Sequence, residues 1–288
     1  MRNYIISTDN TADLPMEYIK ANNIDVLTLF YAFGDEIYNA ENTLPESEFY
    51  GRMRNGEMPT TMAINPEDAA VVFRKRAAEG LDILHIAFSS GLSGSYNNVC
   101  IAAKEVMEEY PSIKITVIDS LAASMGEGLM VYRAVQLKNE GKSMEEVAEY
   151  IQAHALNFVH LFTVDDLFHL HRGGRVSKAT AIVGSIANIK PILHVDNEGK
   201  LIAIGKVRGR KKSLLDLVDR MEKIIGSYKD ETDKVFISHG DCLEDAQFVA
   251  DKVKERFGKD TVINYVCPTI GAHSGPGTIA LFFMGEKR

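Results

Sequence analysis

Cysteine is scarce in this chain: Cys100, Cys242 and Cys267 are odd in number, and none stands in a Cys-x-x-Cys pair. Neither a disulfide framework nor a zinc site is indicated, and a reducing cytoplasm fits. No run approaches 18 apolar residues, and the opening Met1-Arg2-Asn3-Tyr4-Ile5-Ile6 lacks the apolar core of a signal peptide. Neither a membrane span nor a secretory leader is expected. Positive charge is short as well. With 32 Lys and Arg against 40 Asp and Glu, the formal net charge is -8. That charge repels polyanions over most of the surface, so nucleic acid is not an expected partner. Only Arg208-Gly209-Arg210-Lys211-Lys212 forms a short basic run. No Gly-x-x-x-x-Gly-Lys-Ser/Thr run occurs, and Gly141-Lys142-Ser143 lacks the leading glycine. Any phosphate chemistry is therefore expected to come from another protein.

What is present is the composition of a protein with a real core, 45 % hydrophobic and 25 % charged over 288 residues. That length predicts two compact domains sharing a cleft. Strands are expected at Tyr4–Thr8, Ile83–Phe88 and Ile113–Ile118, with helical periods at Asp68–Glu79 and from Val99 to Tyr110. Strands alternating with helices imply parallel crossovers and an α/β layered domain. Thr8-Asp9, Ser89-Ser90 and Asp119-Ser120 would then lie at carboxyl ends of strands, where open α/β sheets bind ligands. Asp13 and Pro15 read as a helix start, and Ser143 with Glu146 as a capping box for a helix to about Ala155. Beyond a boundary near residue 157, Phe158–Val164 reads as a strand, Phe168–Arg175 as a polar turn and Ala179–Ile189 as an apolar helix. Ile192–Val195 and Leu201–Gly205 form a hairpin, followed by helices around Leu214–Ile225 and Ala246–Phe257 and strands at Val235–Ser238, Val262–Val266 and Ile279–Met284. The expected division is 1–157 and 158–288.

The chemistry concentrates in Ser89-Ser90-Gly91-Leu92-Ser93-Gly94-Ser95, between a strand and a helix. Backbone N–H groups at a helix start have no intrahelical partner and carry partial positive charge, so they suit an anion. Gly91 and Gly94 allow close approach, and Ser93 and Ser95 add neutral donors. A plain helix cap in a tight turn is the simpler alternative. Ser93 as a hydrolase nucleophile, with His273 as base and Asp9 or Asp119 as orienter, is a second alternative, although the Gly-x-Ser-x-Gly elbow would need glycine where Ser95 stands. His273 lies in Gly271-Ala272-His273-Ser274-Gly275-Pro276-Gly277, a setting that reads as a rigid loop orienting a titratable donor. Asp165, Asp166, His169 and His171 lack the spacing of a helical metal pair and read as a solvated loop. Arg172, Arg175, Arg208 and Arg210, taken together in an acidic chain, form a candidate docking patch for an acidic or phosphate-bearing partner.

Thr8–Pro15, Ser89–Tyr96, Val117–Ser120, Gly173–Ser177, Lys190–Leu193, Arg208–Lys211 and Gly271–Gly277 together resemble, in order and over nearly the whole chain, the DegV family. These are bacterial fatty-acid-binding proteins that include the lipid-carrying subunits of two-part fatty acid kinases. The resemblance implies two α/β domains with an acyl chain between them, and a carboxyl group bound by Ser93 and by a threonine, here Thr61. It also implies an ATP-dependent fatty acid kinase as partner, no catalysis by this chain and no cofactor besides the bound fatty acid. The family's Thr-Ser-Gln-Pro segment is altered here. Thr60-Thr61-Met62-Ala63-Ile64-Asn65-Pro66 keeps the threonine but has Met-Ala-Ile after it, so Met62 and Ile64 are expected to make that wall more apolar. The expected site is Thr61, Ser93, Gly94, Ser95 and His273, working through neutral donors with no lysine or arginine needed in the pocket.

Overall fold

The computed structural model describes residues 3–177 and 188–288. Three sheets organise it. The first contains β1 (Tyr4–Asp9), β2 (Asp25–Leu27), β6 (Asp82–Ala87) and β7 (Ile115–Asp119), parallel throughout in the order β2-β1-β6-β7. β1 and β6 are buried along their whole length, as central parallel strands covered on both faces must be. One cover is α3 (Pro66–Ala78) and α4 (Ser95–Glu109), whose Phe73, Val99, Ala102 and Val106 meet Ile5 and Ile83. The other is α5 (Met125–Asn139) and α6 (Met144–Ala153), which meet Tyr4, Ile6, Leu84 and Ile86. The chain starts at β1, steps to β2 on one side and then to β6 on the other. The crevice beyond the ends of β1 and β6 is therefore the switch point where such sheets bind ligands.

A small antiparallel sheet of β3 (Phe30–Phe33), β4 (Glu36–Tyr38) and β5 (Thr60–Met62) follows β2, with α1 (Met16–Ala21) before β2 and α2 (Glu46–Arg54) between β4 and β5. Tyr31, Phe33, Tyr38, Phe49 and Tyr50 make its aromatic core. The six-stranded sheet runs β10-β9-β8-β13-β11-β12 from β8 (Phe158–Thr163), β9 (Ile189–Val195), β10 (Leu201–Arg208), β11 (Lys234–His239), β12 (Asp260–Tyr265) and β13 (Ile279–Met284). Only β11 and β12 pair in parallel. The side chains alternate. Val159, Leu161, Leu281 and Phe283 pack under α8 (Arg210–Ile224) and α10 (Leu243–Phe257), while Phe158, Phe162, Ala280 and Phe282 face α5. α5 is thus packed between the two large sheets, and its apolar residues run around its whole circumference. The remaining helices are α7 (Leu167–Arg172), α9 (Tyr228–Glu231) and α11 (Pro268–Ser274).

Most of the expected elements stand within two residues of their predicted ends, and the Ser143–Glu146 capping box is formed on both sides. Three expectations change. Asp13 is not the N-cap of α1, a place taken by Pro15: it closes the 3-10 turn Asn10–Ala12 with a left-handed φ of 53°, and its carboxyl turns inward to Ser124 and the Cys267 N–H. Phe168–Arg175 is not a polar turn but begins as α7, capped by Asp166, whose carboxylate accepts from the Phe168 N–H at 2.8 Å. His273 lies in the last turn of α11, because Pro268 at the first position starts a helix that Gly275 ends. The helix expected over 179–189 falls outside the described residues except at its end, where Ile189 opens β9. Among the described residues no helix is long and apolar enough to cross a membrane.

Candidate functional site

A cavity of about 980 Å³, its mouth included, lies between the end of the first sheet and the inner face of the six-stranded sheet. Its long wall is apolar, with Phe162, Ala280 and Phe282 from the sheet and Phe88, Leu92 and Ile270 opposite. Thr61, Ser93, Gly94 and His273, drawn from three segments far apart in sequence, all line it.

Their placement follows from local structure. β5 pairs Thr61 with Tyr31 of β3, which fixes the strand against the aromatic core. α11 is held by the Tyr50 hydroxyl donating to the Val266 carbonyl at 2.8 Å, the Cys267 N–H donating to Asp13 at 3.0 Å and the Thr269 hydroxyl donating to the Leu29 carbonyl at 3.2 Å. As a result His273 Nε2 lies 2.8 Å from Thr61 Oγ1. Burial, and secondly the Arg175 guanidinium, depress the His273 pKa to about 4, so the imidazole is neutral at pH 7 and can donate or accept but brings no charge.

The serine loop is built differently from its expected form. The Ser95 N–H donates to Ser93 Oγ at 3.2 Å, and the two hydroxyls lie 2.9 Å apart. Ser95 is fully buried, and its hydroxyl accepts from the Ile64 N–H at 3.1 Å. Ser95 therefore positions Ser93 and ties the loop to the end of β5, and it does not line the cavity. Ile64 also departs from expectation: it is buried in the core against α3, so Met62 and Ala63 alone make this wall apolar. Gly91 serves the approach of protein backbone. A Cβ there would stand 2.6 Å from the Glu198 carbonyl, where the β9–β10 turn closes on the loop and Ser89 donates to the Gly199 carbonyl at 2.8 Å. Gly94 has open space around its Cα and lines the cavity.

Arg175 changes the electrostatics. Expected on a docking surface, it lies in the cavity wall, donating from Nε and Nη2 to the Leu92 carbonyl at 3.2 and 3.1 Å and from Nη1 to the Gly173 carbonyl. Among the described residues the pocket thus holds one cation beside its neutral donors, contrary to expectation. Arg210 is likewise not free: it pairs with Asp245 at 2.7 Å and reaches Asp165 at 3.6 Å. Arg172 and Arg208 are exposed. Asp165 itself is paired with Lys190 at 2.6 Å.

Two wall residues escaped the sequence reading. Ser274 is buried, with a hydroxyl that has no hydrogen-bond partner among the described residues. His160 is buried in the wall that the six-stranded sheet supplies. The signal for His160 was a polar side chain at an inward position of Phe158-Val159-His160-Leu161-Phe162.

The hydrolase arrangement is not assembled. His273 pairs with Thr61, Asp9 accepts from the Phe88 N–H at 2.8 Å and faces His85 Nε2 at 3.1 Å, and Asp119 accepts from Ser90 and Leu121 N–H groups. The Ser–His–Asp alignment that does exist, Ser7–His85–Asp9, is sealed inside the first sheet with 0, 0 and 1 % exposure. It ties the ends of β1 and β6 together. Glu127 joins this cluster, accepting from the Thr8 and Thr11 hydroxyls at 2.9 Å each. Burial and the nearby Asp9 push its pKa far up, which keeps a second charge out of the core.

Residues 4–286 match the family model described as uncharacterised protein, DegV family. A DegV domain-containing protein of Clostridium perfringens is 40 % identical over 291 residues, covering 100 % of this chain and 99 % of that one. Another, from Lactococcus lactis, is 41 % identical over 286 residues, covering 98 % of each. Among solved structures, a fatty-acid-binding DegV family protein from Thermus thermophilus superposes with a TM-score of 0.87 at 28 % identity, covering 99 % of this chain and 100 % of that one. DegV from Bacillus subtilis, described as a fatty acid binding protein, gives 0.84 at 26 % with the same coverage.

Proposed function

The chain belongs to the DegV family, and from that premise we propose that it is a cytoplasmic carrier which binds a long-chain fatty acid in this cavity. Thr61, Ser93 and His273 hold the carboxyl group, with Gly94 beside it, Ser95 fixing Ser93 from behind, and Arg175 and Ser274 as partners added by the geometry. The observation that carries the reading is a mostly apolar cavity that Thr61, Ser93 and His273 line together, with Thr61 Oγ1 and His273 Nε2 2.8 Å apart. Burying ~15 methylenes is worth on the order of 10 kcal/mol, at ~0.8 kcal/mol each, which offsets desolvating a carboxylate that meets hydroxyls and one guanidinium. The position of the cavity between a sheet drawn from residues before 157 and one drawn from residues after it supports dividing the chain into 1–157 and 158–288.

The bound acid is then presented to a separate ATP-dependent fatty acid kinase for acyl-phosphate formation. A sequence without a nucleotide-binding loop supports that division of labour, and Arg172 and Arg208 are the exposed members of the docking set. Organic extraction of the purified protein followed by mass spectrometry tests the carrier reading. A fatty acid in the extract is the expected result. A lipid-free extract combined with no uptake of added palmitate or oleate overturns it.

A further inference from the structure

The turn between β9 and β10 rests on the loops that line the cavity and is held there by few attachments. Val195 before the turn and Leu201 after it line the cavity, as do Leu92, Ser93, Ala123 and Ser124 of the two loops beneath it. The tip is rigid in itself. The Asp196 carboxylate accepts from the Glu198 and Lys200 N–H groups at 2.9 Å each, and the Asp196 N–H donates to the Lys200 carbonyl at 2.8 Å. Its seat is backbone against backbone. A Cβ at Gly91 would stand 2.6 Å from the Glu198 carbonyl oxygen, and one at Gly199 would stand 3.1 Å from Leu121 Cα.

The hairpin that carries this tip is weakly joined to its sheet. β9 meets β8 in two residue pairs, His194 with Leu161 and Leu193 with Phe162, and among the described residues β10 has a strand on one side only. Ile192 and Leu193 anchor β9 in the cores, whereas Ile202 and Ala203 of β10 are exposed. The register of the pair shifts between Ala203 and Gly205, and such a shift bends a strand. The segment beyond it can swing while the anchored part stays.

Among the described residues, two side-chain hydrogen bonds tie the tip to its surroundings. Ser89 Oγ donates to the Gly199 carbonyl at 2.8 Å. The other comes from Arg288, whose Nη1 donates to the Asp196 carbonyl at 3.2 Å and to the Leu121 carbonyl at 2.6 Å. Its Nε and Nη2 donate to the Phe158 and Ala155 carbonyls, each at 3.0 Å. Burial lowers the Arg288 pKa to about 10, against the opposing pull of Asp196 and Asp119, so the group stays charged at pH 7. Its hydrogen bonds all go to neutral carbonyls, and a charge removed from water needs every such partner. The arrangement is complete only when the tip, the Leu121 loop and the segment leading into β8 are together.

We propose that the β9–β10 tip is a gate on the cavity and that Arg288 is its clasp, a positioning residue that sets how fast a fatty acid enters and leaves. The inference rests on the fatty-acid reading of the cavity. Lifting the tip breaks the same bonds whether the cavity is empty or loaded. Entry and exit are therefore slowed by one factor, and the affinity, which compares two closed states, is untouched.

Stopped-flow mixing of delipidated full-length protein with cis-parinarate, a fluorescent fatty acid, gives the entry rate. Displacement by excess palmitate gives the exit rate, and equilibrium titration gives Kd. Arg288→Met, which keeps an unbranched side chain without donors, should raise both rates about tenfold and leave Kd within about twofold. Arg288→Lys keeps the charge without the fork and should fall between it and the wild type. Ser89→Ala frees the other side of the tip and should also raise both rates, by about threefold to tenfold, which keeps the test intact if Arg288→Met does not fold. Unmoved rates in either folded variant overturn the inference, and a lowered melting temperature beside them assigns the residue to the fold alone. Faster exit with unchanged entry, and so a weaker Kd, overturns it too, because that marks a lost ligand contact and not a gate. These outcomes leave the carrier reading standing, whereas a wild type that takes up neither cis-parinarate nor palmitate overturns both.

Discussion

Replacing Gly173 by alanine moves His273 without altering any group that would touch the ligand. Gly173 has φ -73° and ψ -6°, ordinary angles for alanine, so the backbone is unstrained. The new Cβ would stand 2.1 Å from His273 Nδ1 and about 3 Å from Cε1 and Cγ. Non-bonded heavy atoms settle at about 3.5 Å, so the ring must retreat by about 1.4 Å or turn. Either movement breaks the 2.8 Å contact with Thr61. The lost hydrogen bond is worth about 1 kcal/mol and the overpacking about 1–3 kcal/mol. If about 1.4 kcal/mol of that falls on the head-group site, palmitate affinity drops about tenfold. Nuclear magnetic resonance titration should show the His273 pKa rising from about 4 toward the ordinary 6.5 as the ring leaves its buried place beside Arg175. Gly174→Ala is the matched control. Its φ of +74° costs about 1–2 kcal/mol of stability, but there is open space around the new Cβ, so affinity should hold. Wild-type palmitate affinity in Gly173→Ala, with an unchanged His273 titration, would refute the reasoning.

Thr61→Val and Ser93→Ala should each weaken palmitate binding roughly five- to tenfold while extracted lipid keeps the same chain-length distribution, since neither residue lines the apolar wall. A changed chain length in Ser93→Ala, read by mass spectrometry, would count against its head-group role. Burial raises the Asp13 pKa from 3.8 to about 7, so between those values the folded state holds a proton that the unfolded chain has released. Stability from this group is therefore highest in acid and declines as pH rises through about 7, by at most ~4 kcal/mol at 1.36 kcal/mol per unit. Asp13→Asn should remove that decline, and thermal melts of both proteins from pH 5 to pH 8 measure the difference; parallel curves would exclude it. Charge reversal at Arg172 and Arg208 should leave the melting temperature and lipid content unchanged while weakening transfer to the kinase, whereas Arg210→Ala should destabilise by about 1 kcal/mol through loss of its pairing with Asp245.

The α/β alternation was legible because each strand of the first sheet is a short apolar run between turn residues and because α3 and α4 bury one face with a 3.6-residue period. Ser93 and Gly94 stood out in the sequence because hydroxyls and glycines cluster at a strand-to-helix turn, and His273 because glycines and a proline surround it. α5 carries no period, because both of its faces are buried, and a helix that is apolar all round looks like none in particular. The small sheet of β3, β4 and β5 escaped for another reason: its strands are three or four residues long and its core is built from aromatic residues spread over 31–50.

Sequence alone therefore determined most strands and helices of the two large sheets and that the serine loop sits at a strand end, while the family resemblance pointed to Thr61 beside Ser93. Only the tertiary structure decided which of them meet. Thr61 and His273 are 212 residues apart and meet because β5 and α11 both pack on the same aromatic core. Ser95 turns away to bind the Ile64 backbone, Arg175 enters the cavity wall that a charge count assigned to the surface, and Arg210 is taken by Asp245. The physical reason is common to all of these. Residue type sets what a side chain can bond to, whereas burial and long-range pairing set which partner is within reach, and no local pattern records a neighbour brought in from the other end of the chain.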